Sequence, residues 1–230
     1  MFVIKIGGSI LFDQQLQINH NLILEYAKTI KNILQKNKRR CVIVVGGGKL
    51  ARKYIQIARK LGASESFNDV IGIESAKLNA RLLISSLGEQ AYPCPPDDFR
   101  EFQTFFSSSD KVIVCGGFQP GQSTNAVAAL IAEFTQAQKL FNLTNVDGVY
   151  SADPQKDPTA KFLTRVTISE LTTLMTAQQT KAGDYPLYDL TALQIVRRSK
   201  IPLHFLNGHN PSLLLAALNE EDIGTLVAYD

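Results

Sequence analysis

An α/β protein with a mainly parallel sheet, covered by helices on both faces, is the fold that the sequence predicts, and two observations carry it. Short apolar runs of strand length alternate along the chain with longer stretches of helical periodicity. Three of those runs stop directly at glycine pairs or triplets, Gly7-Gly8, Gly46-Gly47-Gly48 and Gly116-Gly117, as buried strands that end in tight loops do. Strands separated by helices pair in parallel, and a parallel sheet needs helices on both sides.

FVIKI (Phe2 to Ile6) opens the chain as a buried strand. From Asn21 to Gln35, the apolar residues Leu22, Ile23, Tyr26, Ile30, Ile33 and Leu34 recur at helical spacing. CVIVV (Cys41 to Val45) is the second strand, and a helical pattern through Leu50, Tyr54, Ile57 and Leu61 follows its glycines. Val70 to Leu87 is a longer helix of the same kind. KVIVC (Lys111 to Cys115) then runs into a loop containing Pro120-Gly121 and the helix-like NAVAALIAEF. KLFNLT (Lys139 to Thr144) ends in Asn145-Val146-Asp147-Gly148, and turn signals cluster in SADPQKDPTAK. A helix around Leu190 to Arg198, the strand PLHFL, a helix at Ser212 to Leu218 and the strand TLVAY complete the chain. There are no internal repeats, so the 230 residues form one domain large enough to bury a sizeable core.

Composition narrows the function classes. With 45% hydrophobic and 20% charged residues the chain is ordinary for a globular protein and unlike a disordered one. The net charge is +3, and the basic residues are scattered except for KNKRR (Lys36 to Arg40), which reads as a solvated helix end leading into a strand. Nucleic-acid binding would want a basic stripe interleaved with aromatics, and none is evident. Cys41, Cys94 and Cys115 are odd in number and lack paired spacing, which argues against a disulfide framework or a zinc site. His20, His204 and His209 are too scattered for a metal site or a catalytic triad and read as surface or packing residues. No apolar stretch approaches the ~20 residues that span a bilayer, and the start of the chain lacks a signal-peptide pattern. The expectation is a reduced cytoplasmic enzyme with no membrane or nucleic-acid partner and no metal ligands of its own.

In open parallel sheets, ligands bind beyond the carboxyl ends of the strands. Glycine there lets the backbone approach a ligand closely and turn several N–H groups toward it. A helix that starts just after such a loop adds a positive dipole end, which suits phosphate. Three glycine loops at corresponding places therefore point to an anion site. It is neither a G-x-x-x-x-G-K-[ST] loop nor a G-x-G-x-x-G after the first strand, and protein-kinase motifs are absent. Lys5 sits two residues before Gly7 in an otherwise apolar strand. It is either a snorkelling edge lysine or a cation placed where charge develops on a transferring phosphoryl group. Arg52, one turn into the helix after Gly48, is either a phosphate ligand or an exposed helix residue.

KIGGS (Lys5 to Ser9), VVGGGKLARKYI (Val44 to Ile55), the Pro-Gly loop with NAVAAL, and TNVDGVYSADPQKDPTAK (Thr144 to Lys161) together resemble the amino-acid-kinase superfamily. Within it the chain is most similar to the UMP kinases of archaeal type, along essentially its full length, through PLHFLNGHNP and the closing GTLV. The resemblance implies a three-layer α/β/α sandwich and transfer of the ATP γ-phosphate to UMP, with Mg2+ carried by the nucleotide. It implies an acceptor-binding lobe over about residues 1–140 and a donor lobe over about 141–230. Gly7, Gly8 and Ser9 would touch the ATP phosphates, and Lys5 would bridge donor and acceptor. Gly47 and Gly48 would lie between the two nucleotides, with Arg52 on a phosphate. Asp69 matches the residue that accepts hydrogen bonds from the acceptor ribose, although a helix N-cap explains it as well. Gly117, Phe118, Gln119, Pro120, Gly121, Gln122, Ser123 and Thr124 would wrap the acceptor phosphate. Thr144, Asn145, Asp147, Tyr150 and Asp153 match positions around the donor; Asp147-Gly148 also suits a plain turn, and Tyr150 a core aromatic. UMP kinases are hexamers built from dimers, so a homo-oligomer is expected. The helix Val70 to Leu87 suits either a dimer interface or burial within the chain.

Two departures from the pattern stand out. The family's acceptor loop usually reads threonine, threonine, aspartate before its helix, and here it reads Ser123-Thr124-Asn125. In the superfamily that aspartate orients catalytic lysines. Asn125 keeps the shape without the charge, a loss of roughly 1.5–3 kcal/mol, or about one to two decades in rate, unless Asp184 or Asp189 substitutes. The second departure is Asp184-Tyr185-Pro186, where archaeal relatives carry small hydroxyl residues before the aspartate matching Asp189. Lys5, Asn125 and Asp189 are thus the catalytic candidates. A kinase of the same fold with a different small acceptor, and a catalytically weak nucleotide sensor, are the rival readings.

Overall fold

The computed structural model describes residues 1–37, 40–154, 156–178 and 187–229. In chain order its elements are β1 (Phe2–Ile6), α1 (His20–Asn37), β2 (Cys41–Val45), α2 (Gly48–Lys60), α3 (Glu65–Leu87), α4 (Phe99–Ser108), β3 (Ile113–Cys115), α5 (Thr124–Phe134), β4 (Lys139–Thr144), β5 (Val149–Tyr150), β6 (Phe162–Leu163), β7 (Arg165–Thr167), α6 (Ile168–Gln178), α7 (Leu190–Ser199), β8 (Leu203–Asn207), α8 (Leu213–Leu218) and β9 (Thr225–Ala228). Among the described residues, seven strands form one sheet in the order β3-β2-β1-β4-β8-β9-β7, and β5 and β6 make a separate antiparallel pair. From β3 to β8 every neighbouring pair is parallel; β9 pairs antiparallel with β8, and β7 runs parallel to β9 at the edge.

The alternation of strand side chains sorts the core into two halves. Val3, Val42, Val44, Leu140 and Leu203 share one buried cluster with residues of α4, α5, α6 and α7. Phe2, Ile4, Ile6, Ile43, Phe141 and Leu206 share the other with α1, α3 and α8. The expected three-layer sandwich with a mainly parallel sheet is therefore present. Lys5 is the break in β1, half-buried among fully buried neighbours.

Several local expectations shift. α3 begins at Glu65, five residues earlier than its apolar pattern, because the Ser64 hydroxyl accepts from Phe67 N at 3.3 Å. Asp69 consequently lies inside the helix and is not its N-cap. β3 begins at Ile113, since Val112 only bridges to Ala91. The sequence pattern gave no sign of α4 and α6. α4 is rich in phenylalanine and hydroxyl residues, which are middling helix formers. In α6, Thr172, Thr173 and Thr176 turn their hydroxyls back to carbonyls one turn earlier. Of the KNKRR run, Lys38 and Arg39 lie outside the described residues. Arg40 is not simply solvated: its guanidinium donates to Phe106 O at 3.1 Å and lies 4.6 Å from the Phe106 ring centroid.

Tyr26 ties α1 to the loop after β8. Its ring is fully buried and its hydroxyl donates to Gly208 O at 2.5 Å. Tyr26→Phe leaves that buried carbonyl without its donor. It should lower the unfolding free energy by about 1–3 kcal/mol, read as a lower urea midpoint at unchanged slope.

Candidate active site

Ile6 and Val45 are register partners, so the glycine loops after β1 and β2 leave the sheet side by side. Gly46 N donates to Ile6 O at 3.0 Å, and Gly7 N donates to Leu143 O at 2.9 Å, which pins both loops to the strand ends. Beyond those bonds the backbones interlock. A Cβ on Gly8 would lie 2.0 Å from Gly46 O and 2.5 Å from Gly48 N. A Cβ on Gly48 would lie 2.3 Å from Gly8 O, and Gly48 also has a φ of +72°. No side chain fits at either place, and at Gly48 the backbone conformation independently demands glycine. Asn79 holds the outer side of this joint. Almost fully buried on α3, its amide donates to Gly46 O at 2.8 Å and to Gly47 O at 3.2 Å.

The β2 side of this joint forms one wall of a cavity of about 420 Å³, which the β1 loop residues Gly7, Gly8 and Ser9 do not line. Its lining includes Gly47, Gly48 and Arg52 from the start of α2, Asp69 and Gly72 from α3, and Gly117, Gly121, Gln122, Ser123 and Thr124 from the loop before α5. Two helix N-termini meet there. Neither α2 nor α5 carries an acidic residue in its first turn. Their positive ends are thus left for an outside anion. Arg52 adds a cation and donates to Ser9 Oγ at 2.8 Å. Across the cavity Asp69 Oδ2 accepts from Gly121 N at 2.8 Å, which ties the loop to α3. Phe118 turns its ring into the α4 aromatic cluster, 6.3 Å from Phe99 and 6.4 Å from Phe102. Phe118, Gln119 and Pro120 are not among the lining residues.

Lys5 projects from the sheet face covered by α5 and α7. Burial pushes its pKa down to about 8, and the Asp189 carboxylate works in the opposite direction. Asp189 caps α7, with Oδ1 accepting from Ala192 N at 3.0 Å, while Oδ2 accepts from the Ser123 hydroxyl. Ser123 in turn caps α5 through Ala126 N at 3.0 Å. The starts of the two helices are thereby linked beside the lysine. Asn125, in the first turn of α5, has a buried Oδ1 without a hydrogen-bond partner among the described residues. Asp184, Tyr185 and Pro186 lie outside the described residues.

The donor-side candidates gather past β4. Thr144 Oγ1 accepts from Val146 N and donates to Asn145 Oδ1, both at 3.3 Å. Asp147 accepts from the Tyr150 hydroxyl at 3.1 Å and from Asn207 Nδ2 at 2.7 Å. The Asp153 carbonyl accepts from Lys156 N and Asp157 N, making a turn within the segment that joins β5 to β6. Sequence reasoning missed two residues, Asn79 and Asn207. The signal for Asn79 was available, since an asparagine between Ala76, Ala80 and Leu83 on the buried face of a helix needs a polar partner. Asn207 ends β8, where an asparagine followed by glycine has nothing local to set it apart from a turn residue.

The model of the Amino acid kinase family matches residues 1–207. The chain is 42% identical to the uridylate kinase of Methanobrevibacter smithii over 98% of its length and 97% of the relative's. It is 43% identical to that of Methanothermobacter thermautotrophicus with the same coverage. The crystal structure of uridylate kinase from Archaeoglobus fulgidus superposes with a TM-score of 0.83 at 42% identity, covering 99% of each chain.

Asn79→Leu removes a side chain that donates to both loop carbonyls. It should cost about 1–3 kcal/mol of stability. That loss should read as a lower melting temperature and a lower urea midpoint.

Proposed function

Because this chain belongs to the amino acid kinase family, we propose that it is a uridylate kinase, moving the γ-phosphoryl group of ATP onto the phosphate of UMP to give UDP and ADP. The observation that carries this reading is identity of 41–43% to archaeal uridylate kinases over 98% of the chain. The geometry is of the right kind for phosphates: a cradle in which side chains would clash, two unneutralised helix starts, Arg52 and Lys5.

In this reading the acceptor occupies the cavity, with Asp69 toward its ribose and the 117–124 loop around its phosphate, while Arg52 meets a phosphate. The donor lies over Gly7, Gly8, Ser9 and Gly48, with its nucleoside toward Thr144, Asn145, Asp147, Tyr150 and Asp153. Mg2+ travels on its phosphates. An acceptor phosphate oxygen attacks the γ-phosphorus in line, and the bond to the bridging oxygen breaks, leaving the electron pair on ADP. Lys5 offsets the charge that spreads over the transferring group. The acceptor lobe spans about residues 1–140 and the donor lobe about 141–230. Asn125 favours one further reading, a catalytically weak nucleotide sensor, because its amide lacks the charge that the family's aspartate supplies.

Assembly is read from α2 and α3. Tyr54 and Ile57 on α2 with Leu61 just past its end, and Phe67, Val70, Leu78 and Leu82 on α3, form exposed apolar stripes outside the sandwich. A second copy of the chain covers them, giving a dimer that can build a hexamer. Cytoplasmic location follows from the substrates, and no helix among the described residues is long and apolar enough to cross a membrane.

Steady-state transfer from Mg-ATP to UMP, CMP and dUMP, beside Asn125→Asp, tests the assignment. UMP-dependent ADP formation is expected, with a gain of about tenfold or more in Asn125→Asp. Tight binding of both nucleotides without turnover would select the sensor. Since the Lys5 ammonium is lost as pH rises through about 8, kcat/KM should fall above that pH. Asn125→Asp should move the fall to higher pH. In sedimentation velocity, Leu78→Glu should release monomers; an unchanged mass would remove the α2–α3 face from the assembly.

A further inference from the structure

Asn142, in the middle of β4, is 1% exposed, and neither Oδ1 nor Nδ2 has a hydrogen-bond partner among the described residues. A buried primary amide without partners is costly, and a β-branched apolar residue would fill a central strand without that cost. The register fixes what lies beside it. Asn142 pairs with Lys5 of β1 and with Phe205 of β8, so the three side chains leave the same face of the sheet in one row. Paired strands lie about 4.8 Å apart. The helices that cover that face are α5, whose first turn carries Asn125 with an Oδ1 also buried and without a partner among the described residues, and α7, whose cap Asp189 acts on Lys5.

We propose that Asn142 is a positioning residue for Lys5: its side-chain oxygen and that of Asn125 take two of the three ammonium hydrogens when the nucleotides are bound, leaving the third for the transferring phosphoryl group. Lysine has three donors and no acceptor, so it needs oxygens in defined places to be aimed. Amide oxygens attract the ammonium without cancelling its charge, whereas a carboxylate would neutralise part of it. The pair thus offers Lys5 a second way of being held where Asn125 lacks the charge of an aspartate. Among the described residues, the titratable groups placed around Lys5 are Asp189, with Tyr188 next to it before α7, and Cys115 in the same row on β3; the first turn of α5 contributes no acid. Tyr188 offers Asn142 a competing role. Its ring packs 5.5 Å from Phe205, and its buried hydroxyl has no partner among the described residues either.

The test compares the full-length protein with Asn142→Val, Asn142→Asp and Tyr188→Phe, measuring kcat, both KM values and the pH profile of transfer to UMP, with thermal melting alongside. Asn142→Val should lower kcat about tenfold, the worth of one hydrogen bond to a charged group, with both KM values within about twofold. The basic limb of its kcat/KM profile should move down by about half a pH unit or more, while its melting temperature holds or rises. Asn142→Asp should move that limb up, and Tyr188→Phe should leave it in place. Wild-type kcat and limb in Asn142→Val, or raised KM with unchanged kcat, would overturn the proposal. So would a Tyr188→Phe variant that reproduces the Asn142→Val defect, since the amide would then serve the tyrosine. Should Asn142→Val not fold, an unmoved limb in Asn142→Asp is decisive against it.

Discussion

The interlock of Gly8 with Gly46 and Gly48 is the constraint from which the rest of the site follows. Two backbone segments approach so closely that a methyl group at Gly8 would lie 2.0 Å from a carbonyl oxygen. That approach is possible because β1 and β2 are parallel neighbours in matched register, so their loops leave the sheet at the same height. It needs a polar anchor as well, because packing backbone against backbone buries carbonyls that must find donors. The Asn79 amide supplies two hydrogen bonds at once. With the joint closed, α2 starts from it, and the first turn of α2 becomes part of the cavity wall.

Charge around the cavity is arranged by helix starts more than by side chains alone. α2 and α5 present unneutralised N-termini, and the carboxylates nearby are already engaged as acceptors. Asp69 receives Gly121 N, and Asp189 receives Ala192 N together with the Ser123 hydroxyl. Asp189 therefore does two things. It sets the start of α7 in contact with the cap of α5, and it supplies the opposite charge that partly offsets the burial of Lys5. The lysine's ionisation is thus coupled to how two helices begin.

The two faces of the sandwich divide the labour. The face bearing α1, α3 and α8 is filled by large aliphatic and aromatic side chains and acts as a rigid backing for the loops. The opposite face carries Lys5 and Asn142 from the sheet among its apolar residues, with Tyr188 and the first turn of α5, where Asn125 sits, in the layer that covers it. α2 packs on α3 outside both halves and keeps an apolar stripe of its own.

Strand and helix rhythm made the parallel sheet and its glycine-ended loops legible, because burial on both faces and the change of period are local properties of the chain. Lys5 and the glycines could be singled out for the same reason, each being unusual in its immediate neighbourhood, whereas Asp69 stood out only through the family resemblance and Arg52 taken alone suited an exposed helix position equally well. Asp69 was placed one structural level wrong in its alternative reading as an N-cap, because Ser64 begins α3 earlier than the apolar pattern suggests. α4 and α6 were hidden by aromatic and threonine-rich composition, and are helices because tertiary packing outweighs weak propensity. What tertiary structure alone decided is which distant residues meet: Asn79 with the β2 loop, Asn207 with Asp147, Ser123 with Asp189, and Asn142 with Lys5. Those pairings depend on strand order and register across 32 to 66 residues of chain in the first three cases. A linear pattern carries the period of each element but not the order in which elements come to lie side by side.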